Sequence, residues 1–279
     1  MRPYVVSCDL ATLWQEFGFD VSTDTLEEFR ARARDALQQS VGATEWIPED
    51  ELRSGLSALL SSSSFPIVSL DQAYARQETQ IDLTRLVGTD LRDIGYGTRD
   101  GGFTDPTTAI HKAVGSIKER EIALVDDVIF SGAMMEHVIL LLAQHGIRVR
   151  HVFAGVAIGE GVERVRALGC PVAAVRTYPE VHDEICERDF LPGAPYSGRT
   201  LAAMENTGAP YVLPFGNPAA WASIPSAHQA AFSKEMLEAA AAFYKSTGIV
   251  SPPRNVAGLK QKAGQTFSDA LLQAEMAVR

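Results

Sequence analysis

The segment IALVDDVIFSGAMM, residues 122–135, carries the densest chemistry in the chain. Four apolar residues run into two adjacent carboxylates, Asp126 and Asp127; three more apolar residues lead to Ser131-Gly132-Ala133. The apolar run reads as a buried strand, and ligands of parallel α/β sheets gather beyond the carboxyl ends of such strands. The turn after it opens a helix over 133–145, whose free N–H groups and positive dipole end favour a phosphate. Gly132 lets backbone approach a phosphate, and the Ser131 hydroxyl can donate to it. Carboxylates beside a phosphate cradle suit a sugar phosphate: its diol donates to the acids and its phosphate sits on the turn. The bland alternative is a solvated strand end.

The elements that must position this segment follow an alternation. A strand at 121–129, the helix at 133–145, a strand at 147–158, a helix at 160–168 and a strand at 171–177 predict a parallel sheet with helices on its faces. Upstream, 65–77 and 80–88 read as strands, 89–106 as a long glycine-containing loop and 107–118 as a helix. The first sixty residues read as helices, over 23–39 with acids in the first turn and over 48–60 behind Pro48. Beyond 178 come a polar segment (180–200), a Gly/Pro-rich stretch (208–226), a helix at 228–244 and an amphipathic helix at 264–277. The expected division is an N-terminal helical segment (1–64), an α/β core (65–200) and a C-terminal helical extension (201–279).

Composition excludes several classes. The 279 residues carry a net charge of -10 and 46% hydrophobic residues. That describes a globular protein ill-suited to non-specific nucleic-acid binding, which needs clustered Lys and Arg. Three cysteines with no CxxC fit a reducing compartment, and the first residues lack the basic-then-apolar pattern of a signal peptide. No apolar run is long enough to span a bilayer. A cytoplasmic protein is therefore expected. There is no Walker A and no Gly-x-Ser-x-Gly, so P-loop and serine-hydrolase chemistry lack support. His137, His145, Trp46 and Trp221 read as structural.

The 122–135 segment resembles the 5-phosphoribosyl-1-pyrophosphate (PRPP) motif of type I phosphoribosyltransferases. The resemblance implies a Rossmann-like phosphoribosyltransferase core and an enzyme that transfers the phosphoribosyl group to a nitrogen nucleophile. It implies Mg²⁺ and a homodimer. Asp126 and Asp127 would hold the ribose hydroxyls and stand nearest the metal, and Ser131, Gly132, Ala133 and Met134 would wrap the 5′-phosphate. Two departures stand out. Phe130 replaces the acid that purine-salvage members often carry, and Met134 replaces a frequent threonine. The usual pyrophosphate loop after the first sheet strand is not found; Ser69-Leu70-Asp71-Gln72 stands there.

Positive charge for a pyrophosphate would come from Arg76, Arg85, Arg92 or Arg99, with Arg85 and Arg99 the foremost catalytic candidates. Arg99 would close with its loop over the substrate. The 182–199 segment emerges near the same rim. Its His182, Asp183, Glu184, Cys186, Glu187 and Asp189 match no zinc spacing. It is the expected pocket for the second substrate. Arg188 and Asp189 would contact that substrate, Phe190 or Tyr196 would stack on it, and Glu187 is a catalytic candidate. A solvated loop is the plain alternative. A binding protein that senses PRPP or a nucleotide without turnover is the other functional reading.

Overall fold

The computed structural model describes residues 2–99 and 106–278. The N-terminal part comprises β1 (Tyr4–Ser7), α1 (Leu10–Glu16), α2 (Thr23–Val41), β2 (Thr44–Ile47) and α3 (Glu49–Ser61). Then come β3 (Ile67–Ser69), β4 (Thr84–Val87), β5 (Asp93–Gly97) and α4 (Pro106–Val114). The regular stretch is β6 (Glu121–Ile129), α5 (Ala133–Gln144), β7 (Arg148–Ile158), α6 (Gly159–Ala167) and β8 (Val172–Tyr178). After it follow β9 (Asp183–Cys186), a 3₁₀ turn (Glu187–Phe190), β10 (Arg199–Leu201), β11 (Thr207–Ala209), α7 (Pro218–Trp221), α8 (Gln229–Thr247), β12 (Asn255–Val256) and α9 (Phe267–Glu275).

The chain is an α/β protein, as its alternation predicts. β6 lies between β3 and β7 in a wholly parallel sheet of order β3-β6-β7-β8. Its Ile122, Ala123, Leu124 and Val125 are completely buried, because helices cover both faces of a parallel sheet and leave no solvent side. α5 and α6 pack on this sheet through Met135, Val138, Leu142, Val162 and Val165.

Two further sheets frame its carboxyl rim. One is parallel, β2-β1-β9; the other is mixed, β12-β11-β10-β4-β5. The largest apolar cluster lies outside the β6 sheet. It joins Trp14 of α1 and Phe29 and Leu37 of α2 to Phe232, Phe243 and Tyr244 of α8. Trp14 packs against Phe243 at 5.5 Å and against Tyr244 at 6.1 Å between ring centroids.

The sequence reading needs correction at several elements. The first sixty residues contain two strands besides helices. Tyr4–Ser7 is buried at every position, so it shows no alternation to read. The expected strand 65–77 stops at Ser69. Asp71 ends it by accepting the N–H groups of Ala73 (2.6 Å), Tyr74 (2.8 Å) and Ala75, an Asx-type turn. The expected loop 89–106 contains β5, which forms a hairpin with β4. The tip of that loop, 100–105, lies outside the described residues.

Candidate functional site

Asp126 and Asp127 end the apolar run of β6 at the carboxyl rim. Both side chains line the same space at the strand end. Asp126 is 2% exposed, and its Oδ1 accepts the N–H of Asp127 at 3.0 Å. Asp127 Oδ1 accepts the N–H of Val128 at 2.8 Å, while Oδ2 accepts Nη2 of Arg188 at 2.8 Å. The two carboxyls are driven apart electrostatically. Burial, then the charges of Asp127 and Asp71, push Asp126 well above the carboxylate range. Burial also works to raise Asp127, but Arg188, seconded by Arg99, more than offsets it and holds Asp127 below its ordinary value. Of the two carboxyls, Asp127 is the one whose charged form its surroundings favour.

The turn that follows enters α5 through Gly132, whose φ is +74°. No side chain caps this helix; the Ser131 hydroxyl accepts only a long 3.4 Å bond from the N–H of Ala133. Its first-turn N–H groups are thus available to an anion. Gly132 is demanded by its neighbours as well as its backbone angle. A Cβ there would lie 2.9 Å from the carbonyl oxygen of Gly161, and a Cβ on Gly161 would lie 2.3 Å from that of Phe130. The two glycines let this turn seat on the start of α6.

These groups face a cavity of about 530 Å³ that also takes in Arg85, Arg188 and Arg199, residues 182–186, and the aromatic rings of Tyr211 and Trp221. A smaller space of about 140 Å³ shares both aspartates and adds Arg99, Gln72 and Tyr196. Arg85, on β4, is exposed, and its side chain makes no hydrogen bond or ion pair among the described residues. Arg99 pairs with Asp82 at 2.8 Å and donates to the carbonyl of Leu70 at 3.3 Å. Its guanidinium lies 5.8 Å from the Tyr196 ring centre. Arg76 and Arg92 are placed elsewhere: they pair with Glu16 and Asp90 and line neither space.

The 182–190 segment divides. Arg188 and Asp189 line both spaces. Arg188 bridges Asp127 to the fully buried Asp9 of the β1–α1 connection. Asp189 accepts the N–H of Gly198 at 2.8 Å, and burial pushes its carboxyl up despite Arg188.

Glu187 and Phe190 are not brought to the cavity. Glu187 is wholly buried and saturated: it takes a two-pronged grip from Arg30, at 2.8 and 2.7 Å, and the N–H groups of Asp9 and Leu10, each at 2.8 Å. Together with Glu49, which accepts from Ala11 and Thr12, it caps the start of α1. Phe190 is core, edge-on to Phe232 at 5.4 Å. Tyr196 is the aromatic of that segment at the site.

Several participants escaped the sequence reading. Asp9 has a legible signal, since YVVSCD is another apolar run that ends in an acid. Glu184 faces the cavity from β9, accepts from the Ser7 hydroxyl at 2.6 Å, and is pushed up to about 8 by burial, with Asp127 and Asp183 adding to the shift. Arg199 and Tyr211 have no local signature. Trp221, read as core, is both core and cavity wall. Among the described residues, no group of three or more His, Cys, Asp or Glu could hold a metal ion alone, and no helix is long and apolar enough to cross a membrane.

No protein-family model matches the sequence, and no curated protein matches it. Among solved structures, orotate phosphoribosyltransferase from Aeropyrum pernix is similar at 18% identity and a TM-score of 0.26, over 46% of this chain and 68% of that one. TT1426 from Thermus thermophilus is similar at 18% identity and 0.28, over 47% and 83%. Adenine phosphoribosyltransferase from Thermoanaerobacter pseudethanolicus is similar at 9% identity and 0.28, over 46% and 80%. Scores this low leave the chemistry to the side chains themselves.

Proposed function

We propose that the chain binds PRPP and transfers its phosphoribosyl group to a nitrogen nucleophile with release of pyrophosphate. The observation that carries this reading is the meeting, in one cavity, of the Asp126-Asp127 strand end, the uncapped start of α5, and Arg85 and Arg188. In this scheme the α5 amides, with Ser131, Gly132, Ala133 and Met134 around them, hold the 5′-phosphate. Asp126 and Asp127 accept from the ribose hydroxyls. The bond from C1 to the pyrophosphate oxygen breaks as the bond from the acceptor nitrogen forms, and pyrophosphate keeps the electron pair. Arg85 and Arg99 offset its charge, which is where preorganised cations lower such a barrier. Asp189 and Arg188 stand on the acceptor side.

Mg²⁺ fits this arrangement only as a partner of the substrate. The two aspartates offer it one or two oxygens at most, because Asp127 is already engaged by Arg188, and substrate phosphates would supply the rest. Its contribution when bound is to neutralise phosphate charge.

One observation favours a second reading, a PRPP- or nucleotide-binding protein without turnover. The three amides after β3 are filled by the carboxylate of Asp71 and give no open cradle to a departing pyrophosphate. Calorimetric titration of PRPP with Mg²⁺ into the wild type and the Asp126→Asn/Asp127→Asn variant tests the binding. Micromolar affinity that the variant loses is expected, and no binding to either protein ends both readings. Pyrophosphate release in a screen of acceptors then separates enzyme from sensor.

A further inference from the structure

We infer that the second substrate is a planar ring bearing an anionic group, and that Arg199, seated on Trp221, is the residue that reads that charge. The word substrate rests on the phosphoribosyl-transfer reading; the ring-and-anion site is argued from its own side chains.

Arg199 opens β10 and lines both spaces at the site. Its guanidinium carbon lies 4.7 Å from the centre of the Trp221 ring, a cation held against an aromatic face. Its one carboxylate partner among the described residues is Asp93, at 3.3 Å, and that side chain is 53% exposed. Asp93 is hydrated while Arg199 is 11% exposed and also neighbours the Tyr211 hydroxyl, so the carboxylate partner is the weak part of its surroundings. Meanwhile its Nε is shut off from solvent with no acceptor among the described residues. A buried donor left without an acceptor is unfavourable, and a bound carboxylate would relieve it.

The aromatic setting decides what kind of anion fits. Tyr211 stands beside Trp221 with ring centres 5.5 Å apart, and both line the cavity that holds Asp126 and Asp127. A polyphosphate has no use for flat apolar walls. Its charge is already met by the start of α5 and by Arg85, which has no ion-pair partner among the described residues. A flat heterocycle uses both features: its face packs on the aromatic wall while its carboxylate takes the planar fork of the guanidinium. The cavity already holds the charge of Asp127, so a second anion needs such a cation beside it to avoid net repulsion.

The test is equilibrium binding of matched acid and amide pairs, nicotinate against nicotinamide and a pyrimidine carboxylate against its carboxamide, with and without PRPP. The proteins are the wild type, Arg199→Gln and Arg199→Lys. The acid of each pair should bind the wild type at least tenfold more tightly than its amide. Arg199→Gln should erase the preference, and Arg199→Lys should restore it in part, because lysine keeps the charge and loses the fork. PRPP affinity should stay within about twofold throughout. Equal binding of acid and amide, no binding of either, or a preference that survives in Arg199→Gln overturns the inference. So does a PRPP affinity that falls tenfold in Arg199→Gln, which would make Arg199 a phosphate ligand. Acid-selective binding without PRPP binding sustains the anion site and removes the transferase reading, so the two failures are distinct.

Discussion

Arg188 joins Asp127 to Asp9: one nitrogen of its guanidinium lies 2.8 Å from Asp127 Oδ2 and another holds the Asp9 carboxylate. The cation that keeps the strand-end acid charged is therefore also the counter-charge of a carboxylate with no exposure to water. Arg188→Met should strand Asp9 in the interior. The expected loss is about 3–5 kcal/mol in urea unfolding, the usual penalty for breaking one half of a buried pair.

The same substitution should change the acid limb. Asp127 is depressed in the folded protein, so its stabilising contribution is present above the ordinary value of 3.8 and is lost as pH falls through the lower folded value. Without Arg188, burial dominates and raises the Asp127 carboxyl, so its contribution becomes fullest at low pH and erodes as pH rises. Unfolding midpoints between pH 3 and 6 should show the variant's deficit narrowing as pH falls, and a deficit that does not vary with pH would refute the assignment.

Glu184 gives the opposite slope. Its carboxyl is raised from 4.5 to about 8, so the native state favours the protonated form. Its contribution is full below about 4.5, erodes as pH rises toward 8, and is constant above. Glu184→Gln, which can still accept from Ser7, should match the wild type near pH 4 and melt progressively higher than it up to pH 8. A difference that does not vary with pH would mean that Glu184 is ionised in the fold.

Gly132→Ala adds a Cβ where φ is +74° and the Gly161 carbonyl is 2.9 Å away. The backbone angle alone should destabilise by about 1–3 kcal/mol, and the contact adds to that. Circular-dichroism melts and PRPP titration should both suffer. Gly161→Ala should be at least as harmful, although it lies outside the motif.

Glu187→Gln separates support from chemistry. The carboxylate secures Arg30 and two amides of α1, so the variant should unfold at markedly lower urea. Its turnover per folded molecule should hold; a fall in kcat in fully folded protein would restore Glu187 as a catalytic group.

The comparison of Asp126 with Arg199 shows what a sequence can disclose. Asp126, Asp127 and the α5 entry lie within one stretch, and a strand-turn-helix writes its chemistry in contiguous letters. The regular β6-to-β8 alternation was legible for the same reason. Arg199, Tyr211 and Trp221 reach the cavity from a separate sheet and a short helix, so only the fold makes them neighbours. Glu187 misled in the reverse sense. It sits in a polar cluster one residue from Arg188, yet the 3₁₀ turn sends it to the α1 cap and Arg188 to the site. β1 and β9 were missed because strands this short and this covered carry no period.

The pairing of β1 with β9 also has a bearing on synthesis. Arg188 follows Asp9 by 179 residues. At roughly 5–20 residues per second, a ribosome exposes Asp9 and its strand some ten to forty seconds before their partners exist. Throughout that interval Asp9 must remain hydrated. The wall carrying Glu184 and Arg188 therefore cannot close until residue 188 has emerged, and the acid pair of β6 acquires its settled charge only then.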